Sequence, residues 1–135
     1  MRSVADFYQD CQAVAHAVPP LDVKLADAVS CVLAEDVQAP FNLPVADLSA
    51  CDGYAVRVRD CEGATLETPV TLPVTEEIRA GAVDPAALVP GTAIRIASGA
   101  PMPSGAEAVV SLEFTDHGIA QVALRTAPAN GENIR

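Results

Sequence analysis

Tryptophan is absent from these 135 residues and aromatic side chains make up only 4% of them. A core therefore has to be assembled from Val, Leu, Ile and Ala, which bury less apolar area per residue than rings do. Basic residues are scarce as well: seven arginines and Lys24 stand against 18 acidic residues, for a formal net charge of −10. That balance excludes a broad phosphate-backbone or anionic-membrane surface, which needs a dense Lys/Arg face. A small anion would have to be met by a few placed arginines and backbone N–H groups. No apolar run approaches the roughly 18 residues of a membrane span, and Met1-Arg2-Ser3, followed by Asp6 and Asp10, lacks the continuous apolar stretch of a signal peptide. The expectation is a soluble, cytoplasmic protein with no nucleic-acid or membrane partner. Cys11, Cys31, Cys51 and Cys61 contain no C-x-x-C pair, and with only His16 and His117 beside them zinc-ligand spacing is missing. Reduced, mostly buried thiols are expected.

What is present is 50% hydrophobic content, enough for one small domain or two subdomains. Ser3 with Asp6 three residues on resembles a capping box, and Val4, Phe7, Tyr8, Cys11, Val14, Ala15 and Val18 recur at helical spacing. A helix over 4–17 follows, ended by Pro19-Pro20. From Leu21 to Val37 the pattern predicts a short helix that becomes extended near Leu33. After Pro40 the composition turns to Pro, Gly and β-formers, which marks a subdomain boundary. Strands are predicted over 54–58, 69–74 and 93–97. Residues 108–114 and 119–124 flank Thr115-Asp116-His117-Gly118, a connection of hairpin length, and are expected to pair antiparallel. The irregular spacing, with no long helices between strands, favours a small, mostly antiparallel sheet or partial barrel. The fold class is thus α+β. The tail, residues 128–135, reads as an open loop at which the chain is interrupted.

Two segments carry candidate chemistry. In the first, Asp52-Gly53 precedes a strand, and a positive-φ turn there would hold the carboxylate at a sheet rim, within reach of a cation or leaving group. In the second, Ser98-Gly99-Ala100-Pro101 follows a strand as a loop of small residues, whose N–H groups and Ser98 hydroxyl could approach an anion. It is neither a P-loop nor a dinucleotide fingerprint. An ordinary turn and a rigid connecting loop account for the same spacings. Cys51 has no histidine near it and no G-x-S-x-G elbow exists, so nucleophilic catalysis lacks support. Glu35-Asp36 and Glu76-Glu77 read as solvated surface charge.

In order along the chain stand L-A-E-D-V-Q-A-P (33–40), S-A-C-D-G-Y-A-V-R (49–57), I-R-I-A-S-G-A-P-M-P-S-G-A-E-A-V-V (94–110) and G-E-N-I-R (131–135). This ordered set resembles the N-terminal part of MoeA-type molybdopterin molybdenumtransferases and of the gephyrin E domain. The resemblance implies a helical and extended subdomain built from residues 1–39 and 127–135 and completed by residues beyond this chain, with a β-rich subdomain, 40–126, inserted. It implies molybdenum cofactor biosynthesis: molybdate enters adenylylated molybdopterin and AMP leaves, with a divalent cation such as Mg²⁺ as cofactor. A homodimer is implied too, its cleft completed by an α/β domain of the other subunit, so that this chain alone would be inactive. Catalytic roles fall by the same resemblance to Asp52 and Ser98, cation binding to Asp52, and ligand binding to Gly53, Gly99, Ala100 and Arg95. Upstream of the D-G-Y-A motif the family reads close to F-D-N-S-A-M, whereas Ala46-Asp47-Leu48-Ser49-Ala50-Cys51 stands here. The rival expectation is a noncatalytic dimerisation or interaction module that keeps the same fold.

Overall fold

Ser3 starts the first helix. Its hydroxyl accepts from the Asp6 backbone N–H while the Asp6 carboxylate accepts from the Ser3 N–H, so two otherwise orphaned donors are satisfied. Helix α1 spans Val4–Val14. It stops short of residue 17 because Ala15 is already extended and no basic side chain supports the last turn. The computed structural model describes residues 2–135 and divides into two units, Met1–Pro40 and Phe41–Arg135. Beyond α1 the described residues of the first unit hold one further regular element, a 3-10 turn at Leu25–Asp27. The helix expected within residues 21–37 is thus reduced to that turn, for which Lys24 offers no side-chain cap. None of the described residues of this unit is buried, and Val4, Phe7, Leu25 and Val32 stand exposed. The helical and extended subdomain read from the sequence therefore has no core of its own here.

In the second unit five strands form one sheet in the order β4-β1-β3-β2-β5: β1 (Gly53–Val56), β2 (Val70–Ile78), β3 (Ala93–Ile96), β4 (Ala108–Ser111) and β5 (Gln121–Leu124). β1 pairs antiparallel with both β3 and β4, β2 pairs antiparallel with β5, and β2 with β3 is parallel. Three of the four pairings are antiparallel, so the sheet is mostly antiparallel as expected, with β2–β3 the parallel exception that makes it mixed. Each face carries its own cluster. Tyr54, Val56, Leu72, Ala93, Val110, Val122 and Leu124 pack on one side, and Ala55, Ile78, Leu88, Ile94, Ile96, Ala100 and Val109 on the other. β1 is buried along its whole length because it lies inside the sheet with both faces covered.

β2 contributes to both clusters from even-numbered positions, Leu72 to one and Ile78 to the other. An irregularity in its ladder explains this: Val74 pairs with Ala93 and Glu76 with Ile94, so Thr75 is one residue too many. An inserted residue reverses the alternation of everything after it.

The predicted hairpin of residues 108–124 does not form as such. Residues 112–114 leave the sheet as a 3-10 turn, and β4 and β5 end up at opposite ends of the strand order. A single bridge between Thr115 and Leu124 and a bond from the Arg125 N–H to the Phe114 carbonyl (2.8 Å) tie the two ends together, which curls the sheet into a half-barrel. The Tyr54 hydroxyl donates to the Gly118 carbonyl (2.9 Å), anchoring the connecting loop over that curl.

The thiols also divide. Cys61 is buried, and burial pushes it up to about 11; Cys51 is partly buried, while Cys11 and Cys31 are exposed rather than interior. Glu35, Asp36, Glu76 and Glu77 are all exposed.

Candidate functional site

Two loops meet at one end of the sheet. The first, residues 48–52, leads into β1; the second, residues 97–101, leaves β3, and because β1 and β3 are antiparallel with Gly53 opposite Ile96, entry and exit fall side by side. Hydrogen bonds then join the loops directly. The Ser49 N–H donates to the Ala100 carbonyl (2.9 Å) and the Gly99 N–H to the Ser49 carbonyl (2.8 Å). The Ser98 N–H donates to Asp52 Oδ1 (2.7 Å), and the Ser98 hydroxyl to the Ala50 carbonyl (3.3 Å). Asp52 and Ser98, the two residues singled out from the sequence, are therefore neighbours, and both are exposed.

A third segment lies against the first loop. The Leu48 N–H donates to the Arg135 carbonyl, the Arg135 N–H to the Leu48 carbonyl, and the Ala50 N–H to the Asn133 carbonyl. Asn133 Nδ2 donates to the Val109 carbonyl (2.8 Å). Residues 131–135 thus form a packed edge instead of the open loop expected of them. Residues 127–135, grouped with 1–39 in the sequence reading, here make these bonds with Leu48, Ala50 and Val109.

The remaining candidates play different parts. Gly53 is not at positive φ; it is the first residue of β1, and a Cβ placed on it would lie 2.1 Å from the Val110 carbonyl oxygen. The glycine of the Asp-Gly pair is demanded by the close approach of β4. Gly99 does have positive φ (76°) and faces open space. Ala100 is fully buried in the cluster with Ile94 and Ile96. The loop's N–H groups are not free to cradle an anion: Ser98 donates to Asp52, Gly99 to Ser49 and Ala100 to the Ala97 carbonyl (3.0 Å). Two of these acceptors belong to the first loop, so those two donors of the second are spent on joining the loops. Arg95 lies opposite Tyr54 and Glu77 in the sheet and lines a separate shallow hollow with Val74, Thr75, Glu76, Glu77 and Ile119, to which neither Asp52 nor Ser98 contributes.

Among the described residues no group of three or more His, Cys, Asp or Glu side chains is placed to hold a metal ion. Asp52 supplies one carboxylate, of which Oδ1 is engaged by Ser98; no hydrogen bond among the described residues involves Oδ2. Beside it, burial raises the Cys51 thiol, a hydrogen bond with Ser111 lowers it, and Asp52, Glu113 and Glu132 add negative potential that raises it further. Together these hold the Cys51 thiol above its ordinary value, the direction that disfavours a thiolate.

With this geometry in view, comparison with known proteins is decisive. Residues 2–135 match the family described as the MoeA N-terminal region, domains I and II. The chain belongs to the MoeA N-terminal family. It is 48% identical over 135 residues to molybdopterin molybdenumtransferase 2 of Mycobacterium tuberculosis strain H37Rv, covering 100% of this chain and 33% of that protein. The Bacillus subtilis molybdopterin molybdenumtransferase is 40% identical over 116 residues, covering 83% of this chain and 27% of that protein. A crystal structure of the molybdopterin biosynthesis MoeA protein of Pyrococcus horikoshii OT3 superposes with a TM-score of 0.75 at 37% identity, covering 84% of this chain and 30% of that one. This MoeA N-terminal chain spans about a third of the length of the relatives it matches.

Proposed function

We propose that the chain is the N-terminal part of an enzyme that inserts molybdate into adenylylated molybdopterin and releases AMP. The observation that carries this reading is the contact between Asp52 and Ser98 at the junction of two loops belonging to the family motifs. An exposed carboxylate oxygen and an exposed hydroxyl at one rim suit a polar, phosphate-bearing substrate that arrives with its own countercharge. The Asp52 donor set fits a divalent cation of that kind. Magnesium commonly takes one or two protein carboxylates and completes its shell with water and substrate phosphates. Such a cation would supply charge neutralisation at the phosphoanhydride. The chain's own contribution is to hold Asp52 Oδ1 on the Ser98 amide so that Oδ2 points a fixed charge at the ligand, and to keep the Ser98 hydroxyl beside it. Gly99 leaves the approach open, while Gly53 and Ala100 act by packing and Arg95 lies outside this group.

The reading includes a homodimer in which a molybdopterin-binding α/β domain of the other subunit completes the cleft. It also includes the joining of residues 1–39 and 127–135 in one subdomain, completed by further residues of the protein. Full-length protein carrying this region is expected to release AMP from adenylylated molybdopterin only when molybdate is added. Absence of molybdate-dependent release, with the same protein folded and dimeric, would replace the enzyme with the noncatalytic interaction module.

A further inference from the structure

We infer that Ser49 is a positioning residue for the Asp52–Ser98 pair, acting through its buried hydroxyl on the peptide unit that carries Asp52. The inference rests on the reading of that pair given above. Ser49 is 1% exposed, and with Thr115 it is one of two buried polar side chains among the described residues. Its own backbone is fixed to the second loop in both directions, through the Ala100 carbonyl and the Gly99 N–H. From that fixed point its hydroxyl donates to the Cys51 carbonyl at 2.6 Å. This is at the short end for an O–H···O bond, and its donor is buried.

The Cys51 carbonyl belongs to the peptide plane whose other end is the Asp52 nitrogen. Tying that oxygen down fixes the direction from which the Asp52 side chain leaves the backbone. On the far side of Asp52 the Leu112 N–H donates to the Asp52 carbonyl (3.1 Å), so both flanking peptide units are pinned. A closed circuit results: Gly99 to Ser49, Ser49 to Cys51, and Asp52 back to Ser98, next to Gly99. Without the Ser49 hydroxyl the circuit opens at the peptide that aims the carboxylate, while the sheet bonds of β1 and β3 stay in place.

The test is backbone amide hydrogen exchange, followed by NMR on this chain in the unaltered protein and in the Ser49→Ala, Ser49→Thr and Asp52→Ala variants. Asp52→Ala sets the rate for a Ser98 amide without its acceptor. In Ser49→Ala the Ser98 amide is expected to exchange about tenfold faster, approaching that rate, while the Ile94 and Val110 amides keep theirs. Ser49→Thr, which retains the hydroxyl, is expected to restore protection at Ser98. An unchanged Ser98 rate in Ser49→Ala would overturn the inference. So would equal acceleration at Ile94 and Val110, loss of the fold, or a threonine variant that behaves like the alanine one. Each of these outcomes leaves the Asp52–Ser98 pair standing. If Asp52→Ala itself fails to accelerate Ser98, the pair falls, and Ser49 falls with it.

Discussion

Gly53 and Gly99 are both glycines of the family motifs, yet different physics requires each. At Gly53 a methyl group would collide with the Val110 carbonyl oxygen of a paired strand, and neither backbone can retreat without breaking the ladder. At Gly99 nothing obstructs a Cβ, and only the left-handed φ stands against a larger residue. Gly53→Ala should therefore cost about 3 kcal/mol and Gly99→Ala about 1 kcal/mol, read from urea midpoints at constant m-value. Equal losses would contradict the distinction. Asp52 and Ser98 stood out in the sequence through the resemblance of their segments to family motifs, since the residue pattern alone suits an ordinary turn and a rigid connecting loop. Ser49 gave no comparable signal, since a serine that points inward and one that points outward look the same in a one-dimensional string. The supposed free amides of the 98–100 loop failed for a related reason: composition reveals that a loop can bend towards an anion, and only coordinates reveal that its donors are already engaged.

At the scale of elements, α1 and the β1, β3 and β4 segments were legible because their apolar spacing and flanking turn residues agree with each other. The pairing of those strands was not. Thr115-Asp116-His117-Gly118 has the length of a hairpin loop, but the 3-10 turn at Leu112–Phe114 diverts the chain before the loop is reached, and β5 pairs with β2 instead. β2 conceals a second lesson, since its even positions face one cluster before Thr75 and the other after it. Deleting Thr75 should remove the irregularity and leave Val74 opposite Ala93, Glu76 opposite Ile94 and Ile78 in its cluster, at a cost of no more than about 1 kcal/mol. The point substitution Thr75→Ala, at an exposed position, should cost no more than about 0.5 kcal/mol. Chemical denaturation of the two variants decides, and a deletion that costs as much as losing the burial of Ile78, about 2 kcal/mol or more, would mean that Thr75 is not the extra residue.

For the molecule as a whole, one source of acid sensitivity lies in the loop that closes the half-barrel. Asp116 accepts from the Ala123 and Gly118 N–H groups (2.9 and 3.1 Å), and these bonds, that to Ala123 foremost, hold its carboxyl below the usual range. A depressed folded-state value stabilises the fold at pH above the ordinary carboxylate range, and that contribution disappears as pH falls through the folded value. Asp116→Asn keeps an acceptor oxygen without the charge, so its melting temperature should fall less between pH 7 and pH 3 than that of the unaltered protein; identical falls would refute the assignment. The docking of residues 131–135 on Leu48 and Ala50 was not visible in the sequence, because backbone pairing between remote segments leaves no local mark. The proposed activity rests on the Asp52 carboxylate. The most direct test is the rate of molybdate-dependent AMP release by full-length protein carrying Asp52→Asn, with folding checked by circular dichroism. A fall of about 100-fold or more is expected, the size seen when a preorganised charge-stabilising group is removed, and a rate equal to that of the unaltered enzyme would contradict the role given to Asp52.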